Sequence, residues 1–217
     1  MTQKFIAERK LICEDRSTGV RKPAVVRIGE PYWAPGDPFA SCPVEYLGLP
    51  DRFATTVFGI DTLHALQAAS GFSCVESLLR LANREYRILW ESGEPYFNDD
   101  QEPPPEKKDE SGAETAKNFV AERKLICEEI ATGIRKPVIM RIGLPYWTPG
   151  DPFASCPVEY FGLFDEFTDV KGMDTLQALQ EAANIDELLQ GLGHKYRFFY
   201  ESGEPYFKED RKREGNS

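Results

Sequence analysis

A sixteen-residue segment that occurs twice constrains the fold of this chain more than any other feature. The segment at 31–46 reads Pro-Tyr-Trp-Ala-Pro-Gly-Asp-Pro-Phe-Ala-Ser-Cys-Pro-Val-Glu-Tyr, and the segment at 145–160 repeats it with one change, Thr148 for Ala34. The flanking residues also correspond between the two halves. A 217-residue chain that repeats itself in this way predicts two modules of about 90 residues, a size at which domains commonly fold alone.

The correspondence divides the chain into four parts. We expect a first module at 1–97, a linker at 98–117, a second module at 118–207 and a flexible tail at 208–217. The segment 98–117 is acidic and Pro-rich and contains no large apolar residue, which is a composition typical of linkers. Charged terminal segments such as 208–217 tend to fray.

Each module begins with a pattern typical of a β-hairpin. Phe5, Ala7, Leu11 and Cys13 share one face at a spacing of two, and Thr18-Gly19 is a turn signal before an apolar run at 24–28. The second module repeats this pattern at 119–142. The repeated segment follows. Its prolines exclude a helix, the sequence at 35–38 predicts a tight turn, and alternation from Cys42 predicts a third strand.

A helix and a last strand complete each module. Asp61 and Asp174 precede apolar positions at helical spacing and are predicted N-caps. The final strands are expected at 86–90 and 196–200. The predicted fold class is therefore α+β, with two tandem homologous modules. In each of them a mostly antiparallel sheet, in the order β-β-β-α-β, carries a helix packed on one face.

Cysteine and histidine usage argues against a metal or catalytic centre. The chain has five cysteines, no Cys-x-x-Cys pair and two histidines, so we expect no zinc site, no cofactor and no catalytic residue. Cys42 and Cys156 recur, but His64 corresponds to Gln177, so no cysteine–histidine pair repeats. Free cysteines of this kind are usually buried and structural. The absence of a long apolar run or a signal-peptide core predicts a cytoplasmic protein.

Recurrent carboxylates have a simple structural explanation. Glu45 and Glu159 lie on the predicted third strand, and further glutamates recur after the last strand at Glu91, Glu94, Glu201 and Glu204. Arg27 and Arg87, with their equivalents Arg141 and Arg197, occupy outward strand positions. Cross-strand ion pairs on a half-solvated sheet account for them more simply than a glycosidase-like carboxylate pair does.

The two halves of the chain differ in net charge, and this difference suggests a binding partner. The net charge is −10, but residues 1–97 hold 11 Lys and Arg against 12 Asp and Glu, whereas residues 118–207 hold 8 against 14. No basic face for direct nucleic-acid binding is apparent, and a basic protein partner is compatible with this charge. The extra acids cluster around the second module's helix, at Asp165, Glu166, Asp169, Glu181, Asp186 and Glu187. A solvated helix face is the ordinary explanation, but acidity in one module alone is expected if that module faces a cationic partner.

The aromatic residues of the repeated segment have two interpretations. Tyr, Trp and Arg are enriched at interface hot spots, so these residues could form a binding surface, but large aromatic residues are mostly buried and could equally cover the open end of the core. The residues concerned are Tyr32, Trp33 and Phe39 in the first module and Tyr146, Trp147 and Phe153 in the second. Asp151 and its counterpart Asp37 lie in the same segments.

The helix motif carries a family resemblance. Gly-Met-Asp-Thr-Leu-Gln-Ala-Leu at 172–179, with Gly-Ile-Asp-Thr-Leu-His-Ala-Leu at 59–66, resembles small bacterial domains of unknown function that have a capped Gly-x-Asp-Ser/Thr-Leu-Gln-Ala-Leu helix after a short sheet. His64 departs from the Gln of that pattern. The resemblance implies a compact bacterial domain without assigned active residues. The chain is also similar in size and acidity to immunity proteins that neutralise secreted toxins.

These observations lead to a hypothesis of protein binding. The leading function is a non-catalytic binding module, an immunity-type inhibitor that blocks a bacterial toxin such as a basic nuclease. An alternative is a small-ligand or enzymatic domain that uses the repeated segment, with Asp37, Asp151, Cys42 and Cys156 lining a pocket. A third interpretation is a structural scaffold in which the two modules form a pseudo-dimer.

Overall fold

The computed structural model describes residues 3–49, 53–71, 74–97, 118–164 and 167–207. The predicted linker at 98–117 and tail at 208–217 lie outside the described residues, as do Asp165 and Glu166. Within the described residues the chain is an α+β protein with two antiparallel sheets, each accompanied by two helices. The predicted α+β class, with two similar modules of sheet and helix, is confirmed.

The first module contains six strands and two helices. In chain order they are β1 (Phe5–Asp15), β2 (Arg21–Gly29), β3 (Tyr32–Trp33), β4 (Ala40–Leu47), β5 (Phe53–Gly59), α1 (Thr62–Ser70), α2 (Val75–Ala82) and β6 (Tyr86–Trp90). The second module repeats this order as β7 (Phe119–Glu129), β8 (Arg135–Gly143), β9 (Tyr146–Trp147), β10 (Ala154–Phe161), β11 (Phe167–Gly172), α3 (Thr175–Ala183), α4 (Ile185–Gly191) and β12 (Tyr196–Phe199), with a 3₁₀ turn at Leu192–His194.

The element order differs from the predicted β-β-β-α-β. Each sheet has two additional strands, the two-residue β3 or β9 inside the repeated segment and β5 or β11 after it, and each helical region is divided in two. The division in the second module falls at Asn184, whose N–H group bonds to the carbonyl of Glu181. Strand β3 has two residues, which is too short for a periodic pattern. The segments of β5 and β11 differ in sequence between the modules, so the repeat did not indicate a strand there.

The register of β4 defines the order of the first sheet. Ser41 pairs with Tyr32 of β3 and with Phe58 of β5, so β3 and β5 lie on opposite sides of β4. β2 pairs with β4 on the β3 side through Val44, which lies opposite Ile28. The strands therefore run β5, β4, β2 with its continuation β3, then β1 and β6. The second sheet has the same arrangement.

The predicted turn of the repeated segment is present in both modules. The N–H group of Asp37 donates to the carbonyl of Ala34 over 3.1 Å, and Gly36 between them has a φ of 85°. A turn with Pro at its second position and a positive φ at its third is a type II turn, and glycine adopts that φ without steric strain. Asp151 and Gly150 repeat this geometry.

The predicted helix caps are confirmed. The carboxylate of Asp61 accepts a hydrogen bond from the N–H group of His64 at the start of α1, and Asp174 accepts one from Gln177 at the start of α3. Each helix packs on the sheet of its own module through fully buried side chains, Leu63 and Leu66 in α1 and Leu176 and Leu179 in α3. None of the helices in the described part of the chain is long and apolar enough to cross a membrane.

The two modules meet through reciprocal contacts. Helix α1 packs against α3 and β7, and α3 packs against β1. The hydroxyl of Thr62 accepts from the N–H group of Glu122 and donates to its carbonyl, and Thr175 does the same with Glu8. An interface in which each side uses the same residues is isologous, as in a symmetric dimer. Here both sides belong to one chain.

A buried arginine from each module completes the helix cap of the other. Arg9 of β1 is 4% exposed, and its Nε lies 2.6 Å from Oδ2 of Asp174. Arg123 of β7 is 3% exposed, and its Nε lies 2.8 Å from Oδ2 of Asp61. The second terminal nitrogen of each guanidinium reaches the other carboxylate oxygen over 3.2 Å, so both pairs are bidentate. Bidentate pairs of this kind combine charge with fixed geometry.

Further polar groups surround each arginine. Arg9 also donates to the hydroxyl of Tyr96 and to Oε1 of Gln180, and Arg123 donates to the corresponding Tyr206 and Gln67. Removal from water would lower the pKa of Arg9, but the neighbouring carboxylates and Tyr96 raise it overall, so the guanidinium remains charged. A buried charge is tolerated where its hydrogen-bonding capacity is met, which these contacts achieve.

Candidate functional site

The repeated segment exposes its aromatic side chains more fully in the first module than in the second. Tyr32 is 48% exposed and Trp33 is 50% exposed, whereas Tyr146 and Trp147 are half-buried. Phe39 and Phe153 are exposed in both modules, at 49% and 42%. The aromatic residues of the first module therefore lie at the surface, rather than covering the core as a lid.

Polar bridges hold the second module's segment in place. Lys171 of β11 donates to Oδ2 of Asp151 over 2.7 Å and to the hydroxyl of Ser155 over 2.8 Å. The hydroxyl of Tyr146 donates to Asp169 of β11 over 2.7 Å, and this hydrogen bond raises the pKa of Tyr146. Both bridges cross β10 and tie the segment to the edge strand. Of the predicted site residues, the structure thus brings Tyr146, Asp151 and Asp169 together.

The first module has different residues at the bridging positions. The register places Phe58 where the second module has Lys171, and Thr56 where it has Asp169. Phe58 cannot donate to Asp37 as Lys171 donates to Asp151, and its side chain is 59% exposed. A groove of ≈ 930 Å³ runs beside Phe58 and Tyr32 with Pro43 among its lining residues. The sequences at 53–59 and 167–172 contain this difference.

The four described acidic residues among those predicted around the second module's helix as partner contacts do not form one cluster. Glu181 and Asp186 line a groove of ≈ 610 Å³ that also receives Glu76 and His64 from the first module. Asp186 accepts a hydrogen bond from Tyr206, the tyrosine that contacts Arg123, so it also belongs to the inter-module network. Glu187 is exposed and accepts from Asn184. Asp169 is held by Tyr146, and Asp165 and Glu166 lie outside the described residues.

The repeated cysteines are buried beneath the segment. Cys42 and Cys156 are both 0% exposed, and each thiol donates to a backbone carbonyl, of Gly29 and of Gly143. Burial raises the pKa of Cys42 to about 12, and burial also raises the pKa of Cys156. A thiol in this environment is protonated at neutral pH and weakly nucleophilic. This geometry does not favour the alternative in which these cysteines line a reactive pocket.

A cleft between the modules combines aromatic and acidic side chains. Trp33 and Ile60 of the first module contribute its apolar part, and Ile60 is 46% exposed. The second module contributes the carboxylates of Glu122, Glu201 and Glu204. The cleft has a volume of ≈ 650 Å³ and is also lined by Lys124, which lies 3.8 Å from Glu122. We call it the Trp33 cleft.

The equivalent residues on the opposite side of the molecule differ in exposure. Trp147 corresponds to Trp33 but is half-buried and packs against the core. Glu91 and Glu94 correspond to Glu201 and Glu204, and all four are exposed. The residues of the Trp33 cleft therefore differ from their equivalents in the exposed Trp33 and Ile60, for which the second module has the half-buried Trp147 and Met173, while the exposed glutamates are the same.

The two buried arginines were not predicted from the sequence. Arg9 falls on the same face as Ala7 and Leu11 in the alternating pattern of β1, and Arg123 occupies the same position in β7. A charged residue in an inward-facing row is a signal that it meets a buried partner, so the pattern contained this information. The predicted cross-strand pairs are confirmed for Arg27 with Glu45 and for Arg141 with Glu159. Arg87 and Arg197 instead pair with Glu14 and Glu128.

Among the described residues, no three histidine, cysteine or acidic side chains come together in a group that could hold a metal ion. Comparison with protein-family models, with curated proteins and with solved structures returned no match.

Proposed function

We propose that this chain is a protein-binding module, and that its partner carries a basic surface segment that docks in the Trp33 cleft. The observation that carries the proposal is the half-exposed indole of Trp33 beside three carboxylates of the other module. Tryptophan is among the residues most enriched at interface hot spots, and Lys or Arg side chains bind both to an indole face and to carboxylates.

Charge supports a basic partner over other occupants. Residues 118–207 hold 8 Lys and Arg against 14 Asp and Glu, a net charge of −6. A field of this sign accelerates encounter with a cation and opposes the approach of a nucleic-acid backbone. Recognition divides between the modules in this proposal. The first supplies the aromatic anchor, and the second supplies the carboxylates.

The specific form of the proposal is an immunity-type inhibitor acting in the bacterial cytoplasm. Its partner is a secreted toxin, and a nuclease with a basic nucleic-acid-binding face is the class that best matches an acidic inhibitor. In this proposal the two modules arose by duplication of a small bacterial domain, after which the first kept an exposed Trp33 and the second acquired additional acids.

Co-expression with the protein encoded by the neighbouring gene tests the proposal. We expect rescue from that protein's toxicity, and binding measured by titration calorimetry. Trp33→Ala should raise Kd about thirtyfold, which corresponds to the roughly 2 kcal/mol that defines a hot spot. The pair Glu201→Lys and Glu204→Lys should weaken binding and slow association.

The opposite side of the molecule supplies matched controls. Glu91→Lys with Glu94→Lys places the same charges at the equivalent positions beside the half-buried Trp147, and should leave binding and rescue unchanged. A chain that neither binds nor neutralises the neighbouring product would refute the inhibitor proposal. Equal loss from both pairs of substitutions would show that net charge acts, rather than the Trp33 cleft.

A further inference from the structure

Strand β5 is an edge of the first sheet. Ser41 of β4 pairs with Tyr32 on one side and with Phe58 of β5 on the other, which places β5 at the end of the strand order. Among the strands of the described residues, β5 pairs with β4 alone. The backbone groups along the outer side of such a strand form a template for another strand.

The side chains of β5 do not protect this edge. The sequence at 53–59 is Phe-Ala-Thr-Thr-Val-Phe-Gly and contains no charged residue. Ala54, Thr56 and Phe58 are exposed. Natural edge strands are commonly protected from pairing by charged residues, especially lysine. The equivalent strand β11 has Asp169 and Lys171 at the positions of Thr56 and Phe58, so the second module has this protection and the first does not.

Charge also favours contact between two first modules over other pairings. Residues 1–97 have a net charge of −1, with 11 Lys and Arg against 12 Asp and Glu, whereas residues 118–207 have a net charge of −6. Pairing through β5 joins two nearly neutral surfaces and adds no charged side chain to the ladder. Pairing through β11 would bring acidic modules together.

We propose that β5 pairs antiparallel with β5 of a second copy of this chain and forms one continuous sheet across a two-fold axis. The axis lies beside Thr56, so that Phe58 of one copy lies opposite Ala54 of the other. A large side chain then covers a small one on the same face, which is a favourable cross-strand arrangement. Tyr32 and Phe58 lie on either side of Ser41 and therefore share one face of the sheet. Trp33 is adjacent to Tyr32 in β3 and points to the opposite face. The proposal is therefore independent of the Trp33 cleft.

Analytical ultracentrifugation of the full chain over a range of protein concentrations tests the proposal. The expected result is a concentration-dependent species of twice the 24.6 kDa chain mass. Phe58→Lys gives β5 the lysine of β11 and should weaken self-association about tenfold or more, while circular dichroism remains unchanged. Phe161→Lys is the matched control, because Phe161 is 58% exposed on the second module and its substitution should have no effect.

Thr56→Lys provides a second disruption of the same edge if Phe58→Lys fails to fold. Lys171→Phe combined with Asp169→Thr tests the opposite direction, because it removes the charges from β11 and should produce assemblies larger than the dimer. A wild-type chain that remains monomeric at all concentrations overturns the proposal. It is also overturned by a dimer that survives both β5 substitutions, or by one that Phe161→Lys dissociates equally.

Discussion

Equivalent positions of the two modules carry the same residue types at the inter-module interface and different residue types at the edges of the two sheets. At the interface the two modules use the same residue types, with Arg9 and Arg123 binding the capping aspartates of the other module. At the sheet edges, Lys171 in one module corresponds to Phe58 in the other. Each interface arginine must fit a capping aspartate of the other module, so a change on either side leaves a charged group without its partner. The edges face solvent and can differ without affecting the core.

Removing one interface arginine should produce the largest effect. Arg9→Met leaves the carboxylate of Asp174 buried without its counter-charge, since that side chain is 3% exposed. We expect a loss of about 3–5 kcal/mol in the free energy of unfolding, measured by urea denaturation. Arg123→Met should cost less, because the side chain of Asp61 is 24% exposed and water can partly replace the arginine.

Arg27→Met is the control for that comparison. Arg27 is paired with Glu45 on the sheet surface, and its side chain is 30% exposed. Its loss should cost at most about 1 kcal/mol, as is usual for exposed ion pairs. Equal losses from Arg9→Met and Arg27→Met would contradict the central role of the buried network.

A smaller effect is expected from the edge of the second sheet. Lys171→Met removes the bridges to Asp151 and Ser155, but the lysine side chain is 48% exposed and solvent screens its charge. We expect a loss of about 0.5–1 kcal/mol, measured by urea denaturation. Phe58→Met, at the equivalent position of the first module, should be nearly neutral. A larger loss at Phe58 would reverse the distinction between the two edges.

The smallest effect concerns the first hairpin turn. Oδ1 of Asp15 accepts hydrogen bonds from the hydroxyl and N–H group of Ser17 and from the N–H group of Thr18, and these lower its pKa to about 2. Because the folded-state pKa lies below the ordinary value of 3.8, this contribution to stability is present above about pH 4 and is lost as the pH falls through about 2.

An NMR titration of the carboxyl carbon of Asp15 checks this expectation. The second module has Glu129 at the equivalent position, where the longer side chain accepts from Thr132 instead. In the Asp15→Asn variant, the part of the loss of folding stability at low pH that Asp15 contributes should disappear. A midpoint near pH 4 for Asp15 would show that these hydrogen bonds do not hold the charged form.

Local features of the fold could be predicted from the sequence, whereas contacts between distant parts could not. The hairpins, the turn at Gly36 and the caps at Asp61 and Asp174 depend on neighbouring residues and on patterns with a period of two or 3.6. The additional strands β5 and β11 were not predicted, so the sequence did not indicate that Phe58 and Lys171 lie on edge strands. The Trp33 cleft could not be predicted, because residues of both modules form it.

The reciprocal caps also bear on the order in which the chain can fold during synthesis. Arg9 precedes Asp174 by 165 residues. The N-terminal strand is therefore made long before its charged partner exists, and its guanidinium must remain hydrated until then. Domains usually fold from the N-terminus as they emerge from the ribosome, but contacts of such long range form late. The first module consequently reaches its final form only after the second has been translated.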